Sequence, residues 1–243
     1  MYSVSVCAPA YNEEAGIEKV LQNWIFSLEK GIKKTTITDY EIVLCDDGST
    51  DETIKCVNKI KNDRIKVVQN PSNQGPGIAI RRAIQASSNE FVITIDSDGQ
   101  FNLGDALEWL NTAKKDAIVL GYREKADSFL FKIGTRISNK VFNFITLERI
   151  PDSNCMLKLL PGNLARSLDL RAVGLNYSGE MTFIICTSPL KAEWRPVTHL
   201  KRTSGKSSAK FLRDGIKRLK FQLFLVIEHN LIQNNILTKR NSL

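Results

Sequence analysis

Over the first 120 residues, short runs of β-branched and aromatic side chains alternate with longer stretches whose apolar residues recur at helical spacing. Strands are read at residues 3–9, 40–45, 65–69, 91–95 and 117–120. Helices are read at 13–30, from a cap at Ser49 or Thr50 through Ile60, at 75–86 and around 105–114. Alternation on this scale predicts an α/β fold with a mostly parallel central sheet and helices on both faces. In the first helix Ile17, Val20, Leu21, Trp24 and Leu28 share one face, and Asn12 is expected to cap its start. No internal repeat or low-complexity linker breaks the pattern.

In an open sheet of this kind ligands bind outside the carboxyl ends of the strands. The residues after each strand therefore carry the functional argument. The fourth strand runs into Asp96-Ser97-Asp98-Gly99-Gln100, with two carboxylates one residue apart. Hard oxygen ligands so placed suit Mg²⁺ or Mn²⁺ holding a diphosphate, with Gln100 adding a neutral carbonyl oxygen. Taken alone, an Asp-Gly turn after a core strand explains them equally well. After the first strand come Pro9, Tyr11 and Glu13, where Tyr11 can stack on a base and Glu13 can accept from a base or ribose. After the second come Asp46 and Asp47, able to accept from a base N–H or simply to cap a helix. After the third, residues 73–77 make a glycine-bearing turn with neither the Rossmann nor the P-loop spacing.

The net charge of +8 is unevenly placed, since residues 191–243 hold 12 Lys and Arg against 3 Asp and Glu. The rest of the chain is nearly neutral, so the basic character describes a surface or tail. Five dispersed cysteines without a CxxC pair suggest a reducing compartment. No signal segment is read at the start, and the apolar stretch 221–227 is far short of a bilayer span. The expected location is cytoplasmic, peripheral on the cytoplasmic face of a membrane.

Together, Pro9 to Glu13, Asp46 to Asp51, Asn73 to Gly75 with Ala79, and Asp96 to Gln100 resemble, in order, the motifs of glycosyltransferase family 2. The later part looks like the dolichol-phosphate mannose synthase and polyprenyl-phosphate branch of that family. There the chain shows Gly121-Tyr-Arg123, a helix bearing Arg136, Ser138 and Asn143, the segment 152–158, and Arg202 to Ser207. It departs from the branch at Pro76, where a basic residue is usual, at Ala83, where glycine is usual, and at Ser208, where the motif closes on lysine.

The resemblance implies a GT-A fold over residues 1–205, followed by a basic amphipathic helical tail at 206–243. It implies inverting transfer from a nucleotide-diphosphate sugar. The donor site comprises Pro9, Tyr11, Glu13, Asp46, Asp47, Asp96 and Ser97, and Mg²⁺ or Mn²⁺ lies at Asp96, Asp98 and Gln100. Asp98 would stabilise the leaving diphosphate through the metal, and Arg123 and Arg202 would clamp phosphate oxygens bidentately. Arg136 and Lys206 join these two arginines as acceptor-phosphate candidates. A polyprenyl-phosphate acceptor needs no base, whereas a sugar hydroxyl needs a carboxylate, for which Asp152 and Glu180 are the candidates.

Residues 126–145 and the stretch from Ser207 both read as amphipathic helices. Leu130, Ile133, Ile137, Val141 and Phe144 line the first. Phe211, Leu212, Ile216, Leu219, Leu223 and Val226 line the second, among Arg213, Lys217, Arg218 and Lys220. They are expected either to pack on the sheet or to lie on an anionic membrane surface. The Asp-Ser-Asp-Gly run also resembles dehalogenase-like phosphatases, but Gln100 replaces their threonine and the motif sits on a fourth strand. Nucleic acid is not expected as a partner, because the basic tail lacks a recognised binding motif or aromatic platform.

Overall fold

The computed structural model describes residues 1–124, 139–140, 142–143, 149–200 and 219–229. Its strands are β1 (Tyr2–Ala10), β2 (Ile37–Asp46), β3 (Ile65–Gln69), β4 (Phe91–Thr94), β5 (Ile118–Arg123), β6 (Lys158–Pro161) and β7 (Ala192–Val197). They form one sheet in the order β3-β2-β1-β4-β6-β5-β7. Every neighbouring pair is parallel except the two made by β6, which runs against β4 and β5. The strand order reverses between β1 and β4, where ligand crevices open in such sheets. Register brings Ala10, Asp46 and Gln69 side by side at one edge, and Cys7 pairs with Thr94, so the chain beyond β4 emerges beside them.

The helices are α1 (Ile17–Lys33), α2 (Thr53–Asn58), α3 (Pro76–Gln85), α4 (Leu103–Trp109), α5 (Gly162–Ser167) and α6 (Tyr177–Cys186). Residues 219–229 form a further helix, α7. The face read for α1 is the one that is buried: Ile17, Val20, Leu21, Trp24 and Leu28 all enter the core. In β4 all four residues are buried, as is Ile95, which fits a central strand covered on both sides. Burying each such large side chain contributes roughly 1.5–3 kcal/mol, and this central layer fixes the strand that carries the acidic turn.

The helix starts need correction. Asn12 does not cap α1: it sits at φ 54°, its side-chain oxygen accepts from Thr50 N at 2.8 Å, and α1 begins only after Gly16. Ser49 and Thr50 do not cap α2, which begins at Thr53 with Asp51 Oδ1 accepting from Thr53 N at 3.0 Å. The helix expected around 105–114 is shorter, with Asn102 accepting from Gly104 N at its start.

The apolar positions read for 126–145 lie outside the described residues, apart from a helical stretch at 139–140 and 142–143 in which Phe142 is buried. Of the apolar face read from Ser207 onward, Phe211, Leu212 and Ile216 lie outside the described residues, and within α7 the face divides, Val226 packing against the core while Leu219 and Leu223 stay exposed. Leu225 packs with Phe142, Ile150 and Phe183, and Gln222 is also buried, whereas Leu219, Leu223, Phe224 and Ile227 are exposed. The domain boundary read at 205 falls outside the described residues. Among those residues no helix is long and apolar enough to cross a membrane.

Candidate active site

At the shared edge of β1, β2 and β3 lies an open cavity of about 690 Å³, lined by Tyr11, Asp46, Gly48, Thr50, Asn70 and Ser72 among others. Tyr11 offers its ring at the rim. Asp46 is nearly enclosed, yet its carboxylate accepts only two long bonds, of 3.3 and 3.4 Å, both from Ser49 N. Gly48 must be glycine: its φ is +70°, and a Cβ would stand 2.5 Å from the Ser72 backbone. Asn12 clips this rim together, donating from its backbone to Ser49 Oγ and accepting from Thr50 N. Glu13 lies outside the cavity lining, and its N–H donates to Thr53 Oγ1 at 2.8 Å.

Two residues read as nucleotide ligands have structural work instead. Asp47 is buried, its Oδ1 accepting from Asn70 Nδ2 at 2.7 Å and Gln74 N at 2.9 Å, and its Oδ2 from Gly75 N at 2.8 Å. It anchors the loop that forms the cavity wall and is not presented to a base. Ser97 is also buried and donates from its hydroxyl to the Pro9 carbonyl at 2.7 Å, tying the turn after β4 to the end of β1. Pro9 thus contributes through its backbone oxygen.

Beside the cavity the chain leaves β4 through the acidic turn. Asp96 Oδ1 accepts from the Tyr177 hydroxyl at 2.8 Å, and Asp98 Oδ1 accepts from Gln100 N at 3.0 Å. Burial, reinforced by the negative charge of Asp98, pushes the Asp96 carboxyl up to about 7, while the Tyr177 hydrogen bond and then the charges of Arg123 and Lys158 pull it the other way. Among the described residues no group of three or more His, Cys, Asp or Glu side chains is arranged to cage an ion. Two carboxylates without a third suit Mg²⁺ or Mn²⁺, which commonly takes one or two protein carboxylates and completes its shell with substrate phosphates and water. Gln100 Nε2 donates to Leu200 O, and Leu200 N donates to Gln100 O at 2.7 Å. The chain is thereby brought to the acidic turn two residues before Arg202. Arg202 itself, with Arg136 and Lys206, lies outside the described residues.

Further along the crevice Arg123 and Asp152 form a bidentate pair, Nε to Oδ2 at 2.8 Å and Nη2 to Oδ1 at 3.1 Å, with little exposure of either side chain. Asp152 also accepts from the backbone N–H groups of Arg123 and Asn154. Both readings therefore change. That edge of the guanidinium holds a carboxylate and not a phosphate, and Asp152, bonded at both oxygens, is no free base. Glu180 is likewise committed, accepting from Arg171 N and Ala172 N in a fully buried position. Two side chains were missed. Tyr177 lies 81 residues from its partner Asp96, and the fully buried Lys158 donates to the Cys155 carbonyl. Burial pushes the Lys158 amine below its ordinary range. Lys158 closes the segment 152–158 that carries the branch resemblance, but no role is read for it there.

The sheet order, the cavity beside the switch point and the acidic turn together define a GT-A fold. Glucosyl-3-phosphoglycerate synthase from Mycobacterium tuberculosis, solved with Mn²⁺, uridine diphosphate and phosphoglyceric acid, superposes with a TM-score of 0.62 at 20% identity, covering 95% of this chain and 78% of that one. Residues 5–166 match the model of glycosyl transferase family 2, and the chain belongs to that family. A dolichyl-phosphate beta-glucosyltransferase of Dictyostelium discoideum is 27% identical over 248 residues, covering 92% of this chain and 76% of the relative. Dolichyl-phosphate beta-glucosyltransferase ALG5C of Trichomonas vaginalis is 27% identical over 175 residues, and this chain spans about half of its length: 66% of the chain is covered and 52% of the relative. Within the family the chain resembles the polyprenyl-phosphate branch.

Proposed function

We propose that the protein transfers a sugar, with inversion, from a nucleoside-diphosphate sugar to a polyprenyl phosphate at a membrane surface. The nucleoside would occupy the cavity between Tyr11 and Asp46, leaving the diphosphate beside Asp96 and Asp98. When bound there, Mg²⁺ or Mn²⁺ supplies Lewis-acid stabilisation of the leaving diphosphate. Asp98, with one oxygen oriented by the Gln100 N–H, is the principal metal-holding carboxylate.

The choice of acceptor rests on one observation. Both carboxylates read as candidate bases for a sugar hydroxyl are already engaged, Asp152 by Arg123 and Glu180 by the backbone of residues 171–172. An acceptor that arrives as an anion needs neither of them. The lipid-phosphate acceptors named for the two relatives agree with this reading. The exposed stripe of Leu219, Leu223, Phe224 and Ile227 on α7 supports a membrane-surface location, and the five cysteines are free thiols, in keeping with the cytoplasmic face.

The test supplies purified protein and Mn²⁺ with radiolabelled UDP-glucose or GDP-mannose, and offers a polyprenyl phosphate, the matching polyprenol and a soluble oligosaccharide. Label is expected only in the phosphate-bearing lipid. Equal transfer to the polyprenol or the oligosaccharide would refute the anionic-acceptor reading.

A further inference from the structure

We propose that Tyr177 is a positioning residue for Asp96, holding one carboxylate oxygen so that the other is delivered to the metal and the donor diphosphate. The inference rests on the metal reading of the acidic turn. The first three residues of that turn are each held by a different group. Ser97 is held by the Pro9 carbonyl, Asp98 by the Gln100 N–H, and Asp96 by the Tyr177 hydroxyl. The first two contacts come from the turn itself and from the neighbouring strand. The third comes from α6, a helix that contributes no strand and no cavity wall.

The hydroxyl is a fixed point because the start of α6 is tied down around it. Ser178 Oγ donates to the Cys155 carbonyl at 2.9 Å, and Thr182 Oγ1 donates to the Ser153 carbonyl at 3.0 Å. On the other side, Glu180 accepts from the backbone of Arg171 and Ala172. The Tyr177 ring is 5% exposed, so it has little room to swing away from Asp96. A carboxylate at a strand end otherwise rotates freely about its side-chain bonds. With Oδ1 held, Oδ2 is the oxygen left for an ion. Groups that orient a metal ligand in this way typically change metal affinity by 10–100-fold when removed. Nothing in the family motifs quoted above includes a residue at this position.

The experiment is Tyr177→Phe, which deletes one oxygen and keeps the ring. Free Mn²⁺ is followed by electron paramagnetic resonance in the presence of saturating UDP, UDP affinity is measured separately in chelator, and thermal unfolding checks the fold. Mn²⁺ affinity should fall roughly tenfold or more, with UDP affinity in chelator unchanged. In an Asp96→Ala background, where the hydroxyl has lost its partner, Tyr177→Phe should add nothing. Wild-type Mn²⁺ affinity in Tyr177→Phe would overturn the proposal, as would a full additional loss in the Asp96→Ala background, which would mean that the hydroxyl acts through the fold alone. If wild-type protein bound UDP but no Mn²⁺, the metal reading itself would fall and take this inference with it, an outcome distinct from the other two.

Discussion

Replacing Asp47 by alanine should loosen the donor site without touching a ligand. The carboxylate accepts three hydrogen bonds, from Asn70 Nδ2, Gln74 N and Gly75 N, all between 2.7 and 2.9 Å. Hydrogen bonds to a charged group contribute about 1.5–3 kcal/mol each, and a buried donor left without an acceptor carries a desolvation cost of similar size. The Asn70 bond is buried, while those to Gln74 and Gly75 are partly buried, so water can replace some of what those two lose. Discounting them accordingly gives a loss of roughly 3–5 kcal/mol, a large share of the 5–15 kcal/mol typical of a folded domain. Gly75 adds to the sensitivity: it sits at φ +98° against the Val173 carbonyl and cannot easily find another arrangement.

Because Asn70 and Ser72 line the cavity, a loop that spends most of its time detached should also weaken nucleoside diphosphate binding, by roughly the inverse of the fraction still closed. Equilibrium urea unfolding and calorimetry with UDP and GDP read the two effects. Asp46→Ala is the control, since its oxygens accept only the two long bonds from Ser49 N and its stability loss should stay within about 1 kcal/mol. Its nucleotide affinity should nevertheless collapse. If Asp47→Ala unfolded at the wild-type urea concentration, or if Asp46 proved the more destabilising of the two, the division of labour between these neighbours would be wrong.

Asp96 holds its proton more tightly in the folded chain, near 7 against an ordinary 3.8, so its stabilising contribution is complete below pH 3.8 and is lost as pH rises through about 7. In chelator, Asp96→Asn should therefore exceed wild type in stability at pH 8, by on the order of 1 kcal/mol or more, and match it near pH 4; a difference that did not change with pH would contradict the burial argument. Leu223→Ser with Ile227→Ser should leave the fold intact, because both side chains are exposed, and should reduce flotation with anionic liposomes severalfold. Undiminished flotation would remove α7 from the membrane contact.

What could be read from the sequence, and what could not, follows the range of the interactions. The β4 strand and the acidic turn were legible because both are local: five apolar residues demand a buried strand, and two carboxylates follow at once. The buried face of α1 was legible for the same reason. Asp46 and Asp47 are chemically identical neighbours that do opposite jobs, since successive side chains at a strand end point to opposite faces. One looks into the cavity, and the other looks toward residues 70–75, more than twenty positions away. Asn12 failed as a cap because its side-chain oxygen serves Thr50, 38 residues on. Asp152 looked like a base until Arg123, 29 residues earlier, was found against it, and the turn's own Asp96 takes its orientation from position 177.

Spacing thus identifies residue types suited to the chemistry, and long-range donors then decide which of their oxygens remain for a ligand. Asp47, Asp152 and Glu180 have each been satisfied by backbone, amide or guanidinium N–H groups, and burying them any other way would have left a costly unpaired charge. Asp46 and Asp98 have not been satisfied to that degree: one makes only long bonds and the other accepts one turn N–H. Asp46 is nearly enclosed and Asp98 half-buried, and a carboxylate with lone pairs to spare in such a place calls for a ligand or water to complete it, so these two acids, and not the three committed ones, are the ones the proposed donor path relies on.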